Sequence, residues 1–218
     1  MKVVMEFLIS MMIGIIFGSL PTAYILMKKL KGVNITEAGS GNVGAMNSFE
    51  VSNSYLIGIV VFIIDFTKGF LAVYLVQNIF GDDFLYSSLA ITGAVLSHCY
   101  SPWINFKGGR GLATALGGSI LFVYAIPVIW IAFWIVAYLF RRHIHFANMA
   151  ATILTGAIAL SNSDILNKYT NESADENWIF GISVAFVMAI IMSKHIEPFK
   201  EWFLNQKRKS IKDTNETN

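Results

Sequence analysis

Residues 54–77 read SYLIGIVVFIIDFTKGFLAVYLVQ, an apolar run that contains only two charged side chains, Asp65 and Lys68. An α-helix rises about 1.5 Å per residue, so a run of this length can cross roughly 30 Å of hydrocarbon. Residues 3–27 form a comparable run whose one charged residue is Glu6. The composition agrees, since 55% of the 218 residues are hydrophobic, 14% are charged and the mean hydropathy is +0.58. We therefore expect an integral membrane protein rather than a soluble domain.

The remaining apolar runs are shorter. They cover residues 84–97, 112–124, 127–140, 144–160 and 178–192. Together with the first two they predict an all-α bundle of about seven transmembrane helices, in one membrane domain of residues 1–204. The polar residues 205–218 are predicted to be a disordered tail. Because proline ends or kinks a helix, we expect a tight turn at Pro127, with a single kinked helix as the alternative.

The positive charges predict the orientation of the bundle. Thirteen of the 16 Lys and Arg residues fall on one side of it, namely Lys28, Lys29, Lys31, Lys107, Arg110, Arg141, Arg142, Lys194, Lys200, Lys207, Arg208, Lys209 and Lys212. The other side carries mostly acids, among them Asp82, Asp83 and Glu172. Since cytoplasmic loops are enriched in Lys and Arg, the positive side is predicted to be cytoplasmic. The N-terminus is then outside and the C-terminus is inside.

A glycine-rich loop lies on this positive side. Residues 106–114 read FKGGRGLAT and open into an apolar, helix-forming run. Glycine lets the backbone approach an anion closely, and the first amides of the following helix have no acceptor within that helix. Lys107 and Arg110 add positive charge, so the loop predicts a phosphate-binding site. The other candidate residues of this site are Gly108, Gly109, Gly111 and Thr114.

Another glycine segment, GSGNVG at residues 39–44, matches the dinucleotide-binding pattern G-x-G-x-x-G. That pattern has meaning only inside a βαβ unit, and no strand pattern lies near it. A Walker loop is excluded because Ala45 and Met46 stand where Lys and Ser or Thr are required. The segment does offer groups that can hydrogen-bond an anionic or carbonyl oxygen, and these are Ser40, Asn42 and Asn47, with Gly39 and Gly41 in the turn. The alternative is an ordinary membrane-edge loop held by its own Asn and Ser hydrogen bonds.

Asp65, Lys68 and His98 are ionisable residues that lie within or at the end of predicted spans. Asp65 and Lys68 are three positions apart, so their side chains can meet on one helix face. Ionisable groups inside a membrane usually face the bundle interior and have a function, although a structural ion pair is the alternative here. His98 follows the third apolar run, where it can bind phosphate, transfer a proton or only cap the helix.

Four segments together resemble one family. They are GSLP at residues 18–21, GSGNVGAMN at 39–47, DFTKG at 65–69, and His98 followed by FKGGRGLAT. Their order and spacing are similar to those of the bacterial acyl-phosphate-dependent glycerol-3-phosphate acyltransferases. The resemblance implies a small polytopic enzyme of the bacterial cell membrane with its active-site loops on the cytoplasmic side. The implied reaction moves a fatty acyl group from acyl phosphate to the 1-hydroxyl of sn-glycerol 3-phosphate, releasing phosphate and lysophosphatidic acid, as the first acylation of phospholipid synthesis.

The resemblance also extends to individual residues and partners. We expect the catalytic residues to be Ser40, Asn42, Asn47, His98 and Lys107. The expected substrate- and phosphate-binding residues are Gly39, Gly41, Gly108, Gly109, Arg110, Gly111, Thr114, Arg142, Asn148 and His195. The implied partners are the two substrates, membrane lipids and an enzyme that forms acyl phosphate. No cofactor, metal ion or nucleic acid is expected.

Glu50 departs from the family's pattern, in which this position is an arginine. His145 and Asn148 also differ, since the family typically has serines there. An acid at position 50 would repel a substrate phosphate, so the chain is interpreted as a divergent member. One alternative is a weakened or inactive descendant that binds acyl phosphate and regulates lipid synthesis. Another is an anion transporter, but the inverted repeats and broken helices typical of transporters are not evident in the sequence.

Overall fold

The structure is a computed structural model that describes residues 2–216, with side chains described as far as Gln206. Within these residues the chain is helical and has no strand, which confirms the predicted all-α fold. The helices are α1 (Lys2–Gly18), α2 (Thr22–Lys31), α3 (Ala45–Ser52), α4 (Tyr55–Phe80), α5 (Phe84–Cys99), α6 (Leu112–Phe122), α7 (Ala125–Arg141), α8 (Ile144–Ser161), α9 (Ser163–Leu166), α10 (Asn177–Ser193) and α11 (Ile196–Glu216).

Three helical segments of the described chain are long and apolar enough to cross a membrane. They are Lys2–Lys31, Tyr55–Phe80 and Ile144–Ser161. A fourth is formed if α10 and the first part of α11, which are bent by 53° relative to each other, count as one span. Each of the seven predicted apolar runs is mainly helical, but several of the helices are shorter than a full span. The chain is thus an integral membrane protein, while the count of seven crossings and the orientation stay predictions.

The first apolar run is broken, although we expected residues 3–27 to be continuous. The helix α1 ends at Gly18 and α2 begins at Thr22, so residues 19–21 lie between them. Pro21 explains the break, because proline has no amide hydrogen to donate to the preceding turn and it disfavours the helical conformation of Leu20. The chain also turns at Val123 and Tyr124, between α6 and α7.

Pro127 lies in the first turn of α7, as its third residue. A proline in the first turn costs no helical hydrogen bond, because the first amides of a helix have no partner within it. The fourth and fifth runs are therefore two helices, as predicted, and not one helix kinked at Pro127. The chain turns at Val123 and Tyr124, however, and Pro127 itself is helical.

The helices pack closely through small residues. The helix α1 packs on α5, α4 on α6, and α8 on both α7 and α10. A Cβ on Gly14 of α1 would lie 2.0 Å from the carbonyl oxygen of Ala90, and a Cβ on Gly69 of α4 would lie 2.0 Å from that of Thr114. Such contacts between backbones are typical of helix packing in membranes. They place the beginning of α6 directly against α4.

The expected disordered tail of residues 205–218 is helical as far as Glu216. The reason is local, because residues 205–216 contain neither glycine nor proline and include three Lys and one Arg, which favour helix. The one proline of α11, Pro198, lies in its first turn, where proline is tolerated. Residues 217 and 218 lie outside the described part of the chain.

Candidate active site at the glycine loops

The first glycine loop, residues 39–44, is organised by the side chain of Asn47. Its amide nitrogen Nδ2 donates to the carbonyl oxygens of Ala38 at 3.0 Å and Asn42 at 2.9 Å, and its Oδ1 accepts a bond from the amide of Ser40 at 2.9 Å. Asn47 is 1% exposed. Both ends of its amide are therefore used by the loop itself. The structure assigns Asn47 to holding the loop's shape, whereas the sequence suggested a donor to substrate.

The second glycine loop, residues 106–111, is tied to the end of α5. The amide of Phe106 donates to the carbonyl oxygen of Ser101 at 2.9 Å, and that of Gly109 donates to the carbonyl oxygen of His98 at 3.1 Å. Gly111 precedes α6 with φ of 82°, a left-handed conformation that favours glycine, and no side chain caps the helix there. Lys107 is exposed at the surface of the loop. The loop thus presents a cation next to uncapped helix amides.

The two glycine loops touch each other. The amide of Val43 donates to the carbonyl oxygen of Gly108 at 3.3 Å. His98 lies beneath this contact, since a Cβ on Gly109 would fall 2.1 Å from Nε2 of His98 and 2.8 Å from the carbonyl oxygen of Val43. The predicted pairing of the two segments is therefore a direct contact with a buried histidine below it. We call this end of the bundle the loop end.

A polar cavity of about 270 Å³ opens beside the first loop. Two arginines, two histidines and one acid lie in its wall, so the cavity is predominantly a site for an anion. Its lining residues are Ser40, Asn42, Met46, Asn47, Glu50, Arg110, Tyr138, Arg142, His143, Ile144 and His145. Five of the predicted site residues line this cavity, namely Ser40, Asn42, Asn47, Arg110 and Arg142. We call this the anion cavity.

Several predicted site residues lie outside the wall of the anion cavity. Lys107 belongs to the exposed loop beside it. Thr114 is fully buried, and its hydroxyl has no hydrogen-bond partner among the described residues. Asn148 is buried and its Oδ1 accepts a bond from Nε1 of Trp134 at 2.6 Å. The structure therefore brings Asn148 into a helix contact between α7 and α8.

His195 lies between α10 and α11, with an exposed fraction of 1%. Its Nδ1 donates to the carbonyl oxygen of Ile191 at 2.9 Å, while its Nε2 has no partner within the described residues. Burial lowers the pKa of His195 to about 4, the bond to Ile191 opposes the shift, and the positive charge of Arg110 adds to it. His195 is therefore neutral at pH 7.

The charges of the anion cavity do not cancel. Burial lowers the pKa of the Arg110 guanidinium, and the negative charge of Glu50 opposes that shift. Arginine nevertheless stays protonated in proteins. Burial also lowers the pKa of His143, which leaves this group neutral at pH 7. Two arginine charges thus face one carboxylate.

An apolar cavity of about 180 Å³ begins beside the second loop, at the first residue of α6. It is formed by α4, α6, α7 and α10. Its lining residues are Phe62, Leu112, Ala113, Ala115, Leu116, Ser119, Ile126, Pro127, Trp130, Ile131, Met188 and Ile191. Leu112 directly follows Gly111 of the second glycine loop. A polar loop and an apolar cavity therefore adjoin, as an amphipathic ligand requires.

Some residues of the anion cavity were not predicted from the sequence. Tyr138, near the end of α7, and His143, in the turn before α8, line the cavity together with Ser40 and Asn42 of the first glycine loop. Residues so far apart in the sequence come to one cavity only in the folded chain. The neighbouring Arg141 and Arg142 were the only local signal for this turn. Among the residues that the structure describes, no group of three or more His, Cys, Asp and Glu could hold a metal ion.

The fold and the site together define a class of protein: a helical membrane protein with an anion cavity and an apolar cavity side by side. Comparison with known proteins identifies the family. Residues 8–204 match the glycerol-3-phosphate acyltransferase family, and the chain belongs to it. The chain is therefore a membrane acyltransferase, and the resemblance noted in the sequence is confirmed.

Similar proteins and solved structures support this assignment to the family. A glycerol-3-phosphate acyltransferase of Wolbachia pipientis wMel is 36% identical over 148 residues, which cover 68% of this chain and 76% of the relative. A glycerol-3-phosphate acyltransferase of Fusobacterium nucleatum is 30% identical over 189 residues, which cover 86% of this chain and 90% of that relative. The crystal structure of PlsY, an integral membrane glycerol 3-phosphate acyltransferase, in its glycerol 3-phosphate form is similar with a TM-score of 0.72 at 26% identity, covering 91% of this chain and 92% of PlsY. The lysophosphatidic acid form gives a TM-score of 0.68 at 27% identity, with the same coverage.

Proposed function

We propose that the protein transfers a fatty acyl group from acyl phosphate to the 1-hydroxyl of sn-glycerol 3-phosphate. The products are lysophosphatidic acid and inorganic phosphate. One observation carries the proposal: the two glycine loops are joined by the bond between Val43 and Gly108, with the anion cavity on one side and the apolar cavity on the other. The similarity to PlsY in its glycerol 3-phosphate and lysophosphatidic acid forms supports the same acceptor and product.

The donor is assigned to the second glycine loop. Its acyl chain enters the apolar cavity at Leu112, and its phosphate binds Lys107 and the amides that precede α6. Phosphate is held well by a helix start, because the unsatisfied amides and the helix dipole both favour negative charge. Arg110 belongs to the second glycine loop, two positions before Leu112 of the apolar cavity, and it lines the anion cavity. It is thus available to either phosphate.

The acceptor is assigned to the anion cavity. The phosphate of glycerol 3-phosphate is bound by Arg110 and Arg142, whose guanidinium groups can each donate two parallel hydrogen bonds. Ser40 and Asn42 line the same cavity and supply donors to the reacting carbonyl oxygen. In this scheme Asn47 supports the loop from below, which preserves the position of Ser40.

The reaction needs orientation more than a strong nucleophile, because acyl phosphate is already an activated anhydride. The acceptor oxygen attacks the acyl carbon and forms the ester bond. The bond from that carbon to the phosphate oxygen breaks, and the hydroxyl proton passes to the departing phosphate. Ser40 and Asn42 stabilise the negative charge that develops on the carbonyl oxygen during the attack.

We infer that this chemistry takes place at the cytoplasmic side of a bacterial cell membrane. The support is the distribution of Lys and Arg, thirteen of which fall on the side of the glycine loops. Glycerol 3-phosphate is a polar metabolite that reaches this side directly, whereas the acyl chain is delivered from the membrane. An enzyme that forms acyl phosphate is the functional partner this reaction requires.

A second candidate function is a weakened or inactive protein that binds acyl phosphate and regulates lipid synthesis. The observation that favours it is Glu50, because this acid lines the cavity assigned to the acceptor phosphate. The apolar cavity would remain intact in such a protein, since Glu50 does not line it.

The choice of donor tests the proposal. Purified protein in nanodiscs is given glycerol 3-phosphate with either palmitoyl phosphate or palmitoyl-coenzyme A, and the lipid product is followed. We expect product with palmitoyl phosphate alone. Product with the coenzyme A thioester alone would reject the donor assignment, and binding of palmitoyl phosphate without product would favour the regulator.

A further inference from the structure

The break between α1 and α2 receives hydrogen bonds from two distant parts of the chain. The ammonium of Lys68, in α4, donates to the carbonyl oxygen of Leu20 at 3.0 Å. The hydroxyl of Ser101, at the start of the segment that leads to the second loop, donates to the carbonyl oxygen of Ser19 at 2.7 Å. A helix break inside a membrane protein leaves carbonyls that need such partners. The break is therefore a point at which α4 and the second loop are fixed relative to each other.

Lys68 also forms a buried ion pair. Its Nζ lies 2.9 Å from Oδ1 of Asp65, and both side chains are 4% exposed. The same Oδ1 lies 3.8 Å from Nδ1 of His98. A buried ion pair is weak evidence for stability, because the loss of hydration offsets the attraction between the charges. The contacts of the pair therefore indicate its role better than the attraction between its charges does.

His98 extends this chain of contacts to the second loop. One ring nitrogen, Nδ1, lies near Asp65, and the other, Nε2, lies against Gly109 with no space for a Cβ. The backbone carbonyl of His98 accepts the bond from the amide of Gly109 at 3.1 Å. A displacement of His98 would therefore displace Gly109 and the loop that follows.

We infer that Asp65 and Lys68 are positioning residues, which hold His98 and the break at residues 19–21 so that the second glycine loop keeps its catalytic geometry. Neither side chain lines the anion cavity or the apolar cavity. They act through His98 and Leu20 and not on substrate. The effect on catalysis rests on the proposed function of the loop, whereas the effect on loop geometry does not.

If the ion pair were purely structural, its loss would change stability but not the second glycine loop. A double substitution separates this structural role from the positioning role. Asp65→Asn with Lys68→Met removes both charges at nearly constant volume. Replacing a buried pair by neutral groups is often tolerated, whereas removing one partner leaves an unpaired charge. We therefore expect each single variant to be destabilised and the double variant to recover its thermal unfolding temperature in detergent.

The readouts of the double variant are activity and hydrogen–deuterium exchange over residues 98–112. We expect kcat/KM for palmitoyl phosphate to fall by about 100-fold, since small misplacements of binding groups have effects of this size. The KM for glycerol 3-phosphate stays within about threefold. Exchange in the loop becomes faster. A double variant with recovered stability, normal kinetics and normal exchange would overturn the inference.

A milder pair of variants covers the case in which the double variant does not fold. Ser101→Ala removes the bond to Ser19, and Ser97→Ala is the matched control, because its hydroxyl bonds only within α5, to Gly93 and Ala94. We expect faster loop exchange in Ser101→Ala and unchanged exchange in Ser97→Ala. Equal exchange in both variants would contradict the coupling. If the wild type shows no acyl transfer, the proposed function fails while the exchange results still decide this inference.

Discussion

Gly109 lies against His98 so closely that a Cβ on Gly109 would fall 2.1 Å from Nε2 of the imidazole. The contact joins the second glycine loop to the end of α5. Because both His98 and the facing carbonyl of Val43 are buried, a side chain at position 109 must displace either the ring or the loop. The geometry of the loop thus depends on a glycine at this position.

Gly109→Ala should therefore lower acyl transfer by about 100-fold, because the phosphate-binding loop is displaced from its working position. Initial rates with palmitoyl phosphate and glycerol 3-phosphate measure the effect. Gly156→Ala is the matched control, since a Cβ there would meet its nearest neighbour, Met188, at an ordinary 3.5 Å. Alanine in the middle of α8 is expected to be neutral or to stabilise by about 0.5–1 kcal/mol. Equal activities of the two variants would contradict this role of Gly109.

Lys107→Ala should abolish activity without unfolding the protein. Lys107 is exposed, so its removal leaves no buried group without a partner, whereas the donor phosphate loses its main cation. Activity assays and thermal unfolding in detergent measure the two effects separately. Lys29→Ala removes an exposed cation from α2 and is expected to retain activity. Full activity of Lys107→Ala would refute the assignment of the donor phosphate to this loop.

Glu50→Arg should strengthen acceptor binding. The substitution replaces the one acid of the anion cavity by a third cation beside Arg110 and Arg142. We expect the KM for glycerol 3-phosphate to fall by about tenfold, on the order of 1.4 kcal/mol, because solvent screens an exposed position. The KM for palmitoyl phosphate should change little.

Asp175→Arg is the control for this charge reversal, since Asp175 is exposed at the opposite end of the bundle. It should leave both KM values unchanged. An unchanged KM for glycerol 3-phosphate in Glu50→Arg would place the acceptor phosphate elsewhere.

Acidification should destabilise the protein through His195. Its pKa is about 4 in the folded protein and about 6.5 when exposed, so the unfolded chain binds the proton more readily between these values. The contribution to stability is complete above pH 6.5 and is lost as the pH falls toward 4, by at most about 3 kcal/mol. Thermal unfolding of wild type and His195→Gln at pH 7.5 and pH 5 isolates this effect from other titrating groups. We expect the variant to lose less stability on acidification, and an equal loss would contradict the assignment.

The sequence was sufficient for the helical class, because long apolar runs are a local signal. Phosphate binding by the second glycine loop stays a prediction. The position of Tyr138 and His143 in the wall of the anion cavity could not be predicted, since it depends on how distant parts of the chain fold together. The hydrogen bonds of Asn47 within its own loop match the alternative that the sequence left open for that segment. The break at residues 19–21 did have a local signal in Pro21. The apolar run continues through Pro21, so hydropathy alone predicts an unbroken segment there.

The sequence also predicted that Asp65 and Lys68 pair, since residues three apart meet on one helix face. It gave no indication that Lys68 would also bind the carbonyl of Leu20 or that Asp65 would lie near His98. These partners are separated by tens of residues along the chain, and only the packing of α1, α4 and α5 brings them together.

The central claim is that this site joins an acyl group from acyl phosphate to glycerol 3-phosphate. The direct measurement uses wild-type protein in nanodiscs with palmitoyl phosphate and labelled glycerol 3-phosphate, and quantifies labelled lysophosphatidic acid together with free phosphate. We predict one phosphate released for each lysophosphatidic acid formed, and neither product with Lys107→Ala. Absence of lysophosphatidic acid from the wild type, with its formation in Glu50→Arg, would contradict the claim and identify the protein as an inactive binder of acyl phosphate.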